Sequence, residues 1–281
     1  MMKKTILLSL AISLLFIICC AAYFVRLLNE EFANTVEALI YLVPPLIAVI
    51  AGIYAVSKYQ ITNITGKTLA LFTIGFLSWF IAEVLWAILK NILLIDAFPS
   101  CADIFYLAAY FFIFAGLITY LKISYIAWNV KKVIIAVILF LFLGNIVGYY
   151  GVYEAYDTTA SFLENFFSIV YGVADLFLVF ILVIALIMAT EYHTGKIFLT
   201  WLFILFGFIF MISADILFAV YYEEYEEWLA PYRYMDFLWM ASYLCFGYAL
   251  FRLGFVVQYF KEKTLPTLSP RGKKKPRPRG K

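Results

Sequence analysis

The sequence predicts an all-α polytopic membrane bundle of eight spans, and three observations lead there. Of its 281 residues 66% are apolar and 14% charged. A soluble domain carries roughly 45–50% apolar and about 25% charged residues, so this chain lacks the polar surface to face water. Eight apolar stretches are each long enough to cross the hydrocarbon core, which takes about 20 helical residues. Lysine and arginine collect on alternate connections between those stretches, the pattern that orients helices in a bilayer.

The first stretch, Thr5 to Val25, follows Lys3-Lys4. It has the start of a signal peptide, yet its apolar run outlasts the roughly 7–15 residues of a cleaved signal. Ile18 also places a bulky side chain before Cys19, where a lipoprotein signal needs a small one. A retained anchor is expected; cleavage would leave seven spans and an external N-terminus. The second stretch, Val36 to Val56, contains Pro44-Pro45, which removes two backbone donors and should kink it. Then come Thr68 to Leu94, Ala102 to Leu121, Val133 to Val152, Ser161 to Thr190, Ile197 to Tyr222 and Tyr234 to Val257. Short connections rich in Thr, Gly, Asn, Lys and Tyr separate them, with no inserted soluble domain. The expected organisation is one membrane domain over 1–260 and a basic tail over 261–281.

With the N-terminus inside, the inner segments hold 18 Lys and Arg residues, ten of them from Arg252 onward, and the outer segments hold Arg26, Lys90 and Arg233. Both termini are therefore expected in the cytoplasm of a cell-membrane protein. The outer connections carry acid instead, including Glu30, Glu31, Glu37, Asp96, Glu154, Asp157 and the run Glu223 to Glu227. The tail, with Lys273-Lys274-Lys275 and Pro-Arg repeats, should be disordered and touch anionic lipid. No aromatic residue interrupts its basic run, so it lacks the stacking platform of nucleic-acid binders.

Four cysteines (Cys19, Cys20, Cys101, Cys245) show no C-x-x-C spacing, and His193 is the single histidine. That excludes the common zinc hydrolases, which need several such ligands, and no metal or cofactor is expected. Cys19 and Cys20 sit in an apolar run, where inert thiols are the ordinary reading; a bridge to Cys101 stays open, because pairing cannot be read from sequence.

The chain also repeats itself. Gly75-Phe76 with Ala82-Glu83 recurs as Gly207-Phe208 with Ala214-Asp215. Asp103, Tyr106, Ala108 and Tyr110 recur as Asp236, Trp239, Ala241 and Tyr243, with one extra loop residue. Thr65-Gly66-Lys67 and Thr194-Gly195-Lys196 precede both copies. The halves, about 1–125 and 126–260, hold four spans each, so the repeat should be parallel, unlike the inverted repeats of many transporters.

Ionisable residues inside spans are costly and usually face the bundle interior. Here they are Glu83, Asp103, Glu164, Asp175, Asp215 and Asp236. Helical spacing places Trp79, Glu83, Trp86 and Lys90 on one face. Asp103, Tyr106 and Tyr110 share a second, Asp236, Trp239 and Tyr243 a third, and Glu164, Ser168, Tyr171 and Asp175 a fourth. These faces suggest an outward-opening pocket of carboxylates and phenols below an acidic rim. The structural alternative is that Asp103 and Asp236 cap their helices and that Glu83 pairs with Lys90. Asp175 and Asp215 have no local basic partner. Carboxylates held close together suit proton transfer or cation binding.

The string Trp86…Phe98-Pro99-Ser100-Cys101-Ala102-Asp103-Ile104-Phe105-Tyr106-Leu107-Ala108-Ala109-Tyr110 resembles a motif of multi-span sensor modules N-terminal to bacterial and archaeal histidine kinases and diguanylate cyclases. The resemblance implies an eight-helix domain that binds a signal through its acidic-aromatic faces, although no kinase, cyclase or PAS segment follows Val257. A weaker similarity, through Ala82-Glu83 and Ser213-Ala214-Asp215, is to lysoplasmalogenase-like (YhhN-type) membrane hydrolases. That one implies Glu83 and Asp215 as acid and base in vinyl-ether hydrolysis, here with Glu in the first place and an Ala inserted in the second.

The leading expectation is a sensor-like domain, without its own output domain, that binds a lipid-like or small amphiphilic ligand or a signalling partner. A lipid hydrolase and a small carrier or ion pathway are the alternatives.

Overall fold

A computed structural model describes residues 2–24, 30–122, 128–191, 197–227 and 231–264. Arg26, His193 to Lys196 and the tail from 265 lie outside the described residues. Regular structure within them is entirely helical, and eight helices are long and apolar enough to cross a membrane. In chain order the helices are α1 (Met2–Tyr23), α2 (Glu30–Tyr41), α3 (Val43–Tyr59), α4 (Ile64–Asn91), α5 (Cys101–Leu121), α6 (Val130–Gly148), α7 (Phe162–Glu191), α8 (Phe198–Val220), the short α9 (Tyr222–Glu226) and α10 (Asp236–Thr264). A π turn, Tyr149–Tyr153, continues α6, and a 3₁₀ turn, Tyr232–Met235, leads into α10.

The double proline does more than kink its span. It divides it at Leu42, and both prolines sit in the first turn of α3, where a missing donor costs nothing. Two helices begin earlier than their apolar runs because polar caps fix their ends. The Asn63 side chain accepts from the Gly66 amide at 2.7 Å, and that of Asn129 accepts from the Lys132 amide at 2.9 Å. Ser100 with Asp103 closes a capping box at α5, and Ser161 with Glu164 does so at α7. At its other end α10 runs to Thr264, four residues into the segment expected to be a disordered tail.

Six helices form a closed ring in the order α3, α4, α5, α7, α8, α10 and back to α3. α1 packs outside the ring on α10 and α2, and α6 packs outside it on α7. A close seam joins α7 to the π turn. A Cβ at Gly172 would lie 1.9 Å from the carbonyl oxygen of Gly151, so only glycine allows that approach. The helices alternate in direction, which gives the bundle two unlike ends. Lys58, Lys67, Lys122, Lys131 and Lys132 stand at one; Asp96, Glu154, Asp157, Glu223 and Glu224 stand at the other. At the basic end Lys132 forms an ion pair with Glu191, tying α6 to α7. All four cysteines are free thiols, with Cys19 buried and Cys101 exposed, so no bridge joins them.

Candidate functional site

The ring encloses a chamber of about 940 Å³ that reaches the connections at the acidic end. Every residue singled out by the acidic-aromatic faces lines it: Trp79, Glu83, Trp86, Asp103, Tyr106, Tyr110, Tyr171, Asp175, Asp215, Asp236, Trp239 and Tyr243. They come from five helices, α4, α5, α7, α8 and α10. Glu164 and Ser168 also line it, although the Glu164 carboxylate is occupied as a helix cap.

Five of the carboxyl groups on the chamber wall are met by aromatic donors. Glu83 accepts from the Tyr106 hydroxyl at 2.8 Å and from the Tyr243 hydroxyl at 2.9 Å. Asp215 accepts from the Trp239 indole at 2.7 Å and from Tyr110 at 3.4 Å, and Tyr110 lies 2.9 Å from Asp175. Tyr171 donates to Asp103 at 2.5 Å. Tyr23 and Tyr225 donate to Asp236 at 2.6 and 2.9 Å. Asp175 and Asp215 are thus brought together at the one Tyr110 hydroxyl. Edge-to-face contacts hold these rings in place: Trp79 meets Tyr110 and Tyr243 at centroid distances of 5.8 and 6.0 Å, and Phe218 meets Trp86 and Trp239 at 6.4 and 5.5 Å.

Three structural alternatives resolve differently. Asp103 does cap, accepting from the Ser100 amide at 2.6 Å, and it serves Tyr171 as well. Asp236 begins α10 but gives its oxygens to two phenols and to Arg233, whose Nε is 3.5 Å away. Glu83 does not pair with Lys90; both its oxygens are taken by phenols, and Lys90 lies 3.8 Å from Asp96 in the following loop.

The sequence faces missed Tyr23, Tyr41, Phe218, Tyr225 and Arg233, all on the chamber wall. Tyr225 stands between spans with the Arg233 guanidinium 4.0 Å over its ring. Burial pushes its phenol well above the ordinary range, outweighing the opposing pull of Arg233, and so keeps it a neutral donor to Asp236. For Tyr225 the available signal was an aromatic in the connection that precedes the acid-bearing α10.

In chemical terms the chamber offers carboxyl oxygens fixed by phenol and indole donors, with ring faces between them. Among the described residues, no group of three or more His, Cys, Asp or Glu side chains is arranged to hold a metal ion. No family model, curated protein or solved structure matches the chain.

Proposed function

We propose that this membrane protein is a sensor-like domain that holds a small amphiphilic or lipid-like ligand in the chamber and reports its occupancy to a partner protein. The observation that carries the reading is the convergence of twelve chamber-lining acids and aromatics from five helices on one cavity of about 940 Å³. That is the size of a small-molecule site, and such sites are concave with a few fixed polar groups. The basic connections favour an orientation with the acidic mouth outside the cell. A ligand then reaches the chamber from outside or from the outer leaflet.

The internal duplication is part of the same proposal. Glu83 takes one bond from Tyr106 of its own half and one from Tyr243 of the other. Asp215 takes one from Trp239 of its own half and one from Tyr110 of the other. The ring order is likewise unchanged when α3, α4 and α5 are exchanged for α7, α8 and α10. Both features support two parallel halves related about the membrane normal.

The test is mass spectrometry of molecules retained by purified protein, run beside an assay for turnover of vinyl-ether and ester lipids. A defined species retained by wild type and lost from Trp79→Ala, without turnover, is the expected result. Lipid turnover abolished in both Glu83→Gln and Asp215→Asn would overturn the sensor reading in favour of a hydrolase.

A further inference from the structure

Four of the six seams round the ring are closed by glycine. A Cβ at Gly52 would meet Thr73 across α3–α4, and one at Gly75 would meet Ile113 across α4–α5. One at Gly207 would meet Phe246 across α8–α10, and one at Gly247 would meet Ile47 across α10–α3. None of the described glycines faces across α5–α7, which is the sparsest of the six seams. Long side chains span it instead. Tyr171 of α7 donates to Asp103 of α5 at 2.5 Å, and Tyr110 of α5 donates to Asp175 of α7 at 2.9 Å. Further down, Phe114 of α5 meets Phe177 and Phe180 of α7 at centroid distances of 5.1 and 6.4 Å.

The same seam is bare on its outer side. Outside the α10–α3 seam stand α1, on α10, and α2, on α3. There Cys19 and Tyr23 of α1 pack with Met240 of α10, and Ser9 lies 3.3 Å from Tyr248. α6 takes no such place. It packs on α7, and its π turn continues onto α8, so among the described residues no helix covers the line between α5 and α7. Helical spacing puts Phe111 and Ile118 on the α5 face that bears Phe114, and Val173 on the α7 face that bears Phe177 and Phe180. Of these, Phe111 is 69% and Phe177 50% exposed, and Ile118 and Val173 are exposed beside them.

The layering of this line sets what can lie in it. At the outer end both bridges join a phenol to a carboxyl group, with the chamber behind them. Deeper down both flanks are hydrocarbon and aromatic. From Asp103 to Phe114 the distance along α5 is about 16 Å at roughly 1.5 Å per residue, close to one leaflet of a hydrocarbon core about 30 Å thick. A lipid of the outer leaflet has the same profile over the same depth, with polar and ester groups outward and a chain reaching toward the midplane. Tyr110 and Tyr171 can donate to its ester and phosphate oxygens. The chamber wall carries twelve carboxyl side chains against Lys90 and Arg233, which repels a head of net negative charge and suits one with a cationic end.

We propose that the line between α5 and α7 is a side door of the chamber and that its occupant is one zwitterionic lipid of the outer leaflet. The head turns inward at Tyr110 and Tyr171, and one chain lies along Phe114 and Phe177. The proposal rests on the ligand-binding reading above and gives the ligand its class and its path. Such a lipid enters from the bilayer without passing the acidic mouth. The contact of Phe114 with Phe177 is the part that opens and closes, and parting it disturbs none of the glycine seams.

The probe is a phosphatidylcholine with a diazirine beside the ester group of one chain, in phosphatidylcholine vesicles that hold the full chain. On illumination alkyl diazirines mark carboxyl groups readily. Asp103 and Asp175 are 1% and 4% exposed and stand behind the ring wall, out of reach of lipid that merely surrounds the bundle. The expected result is a label on Asp103 or Asp175, located by peptide mass spectrometry, and at least fivefold less from a phosphatidylglycerol bearing the same diazirine. In Phe114→Cys with Phe177→Cys, a short bis-methanethiosulfonate bridge should cut that label at least tenfold, and reducing the bridge should restore it. If wild type is labelled only on lipid-facing residues, or the bridged protein as fully as the reduced one, the side door falls; a molecule retained on purification then keeps the chamber reading. Equal interior labelling by the two lipids overturns the head-group assignment. A bridge that forms between two chains makes the line an interface between copies, and the proposal falls. If no interior acid is labelled and nothing is retained on purification, both readings fall. Should a thermal melt show that the double variant does not fold, the wild-type label and the comparison of the two lipids decide.

Discussion

α6 and α10 are both apolar helices of crossing length, yet only 6% of the most apolar stretch of the α6 span is buried, against 67% for that of α10. α6 lies outside the ring and shows Ile138 and Phe142 at 60% and 63% exposure. α10 closes the ring between α3 and α8 and buries Asp236, Met240, Tyr243 and Ala249 almost completely. The contrast separates two properties that hydropathy merges. Being apolar places a helix in the bilayer, whereas its place in the bundle follows from polar side chains that must be hidden from lipid. α6 has Asn145 as its one uncharged amide after the first turn; α10 has an aspartate, a serine and two tyrosines along its first half.

Substitutions can break or sharpen that contrast. Asp236→Ala should have the largest effect, because it strips the partner from Tyr23, Tyr225 and Arg233 at one buried point of α10. Breaking a buried charge pair costs about 3–5 kcal/mol, and reversible unfolding in mixed micelles should show a loss of that order. Gly172→Ala comes next. It drives a Cβ into the Gly151 carbonyl at the seam between α7 and the end of the α6 span. Overpacking of this kind costs about 1–3 kcal/mol. A loss below a few tenths would mean that the seam yields and that the α6 span is bound nowhere tightly.

Tyr243→Phe removes one of two hydroxyls from Glu83 while keeping the ring against Trp79. The expected loss is about 1–2 kcal/mol, and Tyr106→Phe should cost less because its hydroxyl is nearer the mouth and water can replace it. The smallest effect belongs to Ile138→Ala with Phe142→Ala on α6, within about 0.5 kcal/mol each, as for substitutions away from packed positions. A large loss there would show that α6 is covered by something other than lipid.

Much of the architecture was legible because the bilayer imposes a length and a composition on each span. The chamber wall was legible for a related reason: a carboxylate at membrane depth has to face inward, so Glu83, Asp175 and Asp215 could be read as interior residues without knowing their neighbours. The partners of those acids were not. The spacing of Glu83 and Lys90 suggested a pair on one helix face, but Tyr243, 160 positions away, supplies the bond instead. Tyr23 reaches Asp236 across 213 positions and Tyr225 reaches it from the preceding connection, and no periodicity records either contact. Ring membership was equally hidden. The double proline announced a bend, though it did not tell that α3 alone would enter the ring beside α4.

The exchanged bonds, Tyr243 to Glu83 and Tyr110 to Asp215, bear on how such a chain can evolve. Altering Glu83 strands a hydroxyl contributed by the other half of the polypeptide, and altering Asp215 leaves Tyr110 with Asp175 alone. Substitutions at these four positions should therefore be inherited as pairs that straddle the midpoint of the chain, while the lipid-facing surface of α6 drifts freely. The same dependence means that cutting the gene in two would leave each fragment with an acid and a tyrosine awaiting the other fragment's.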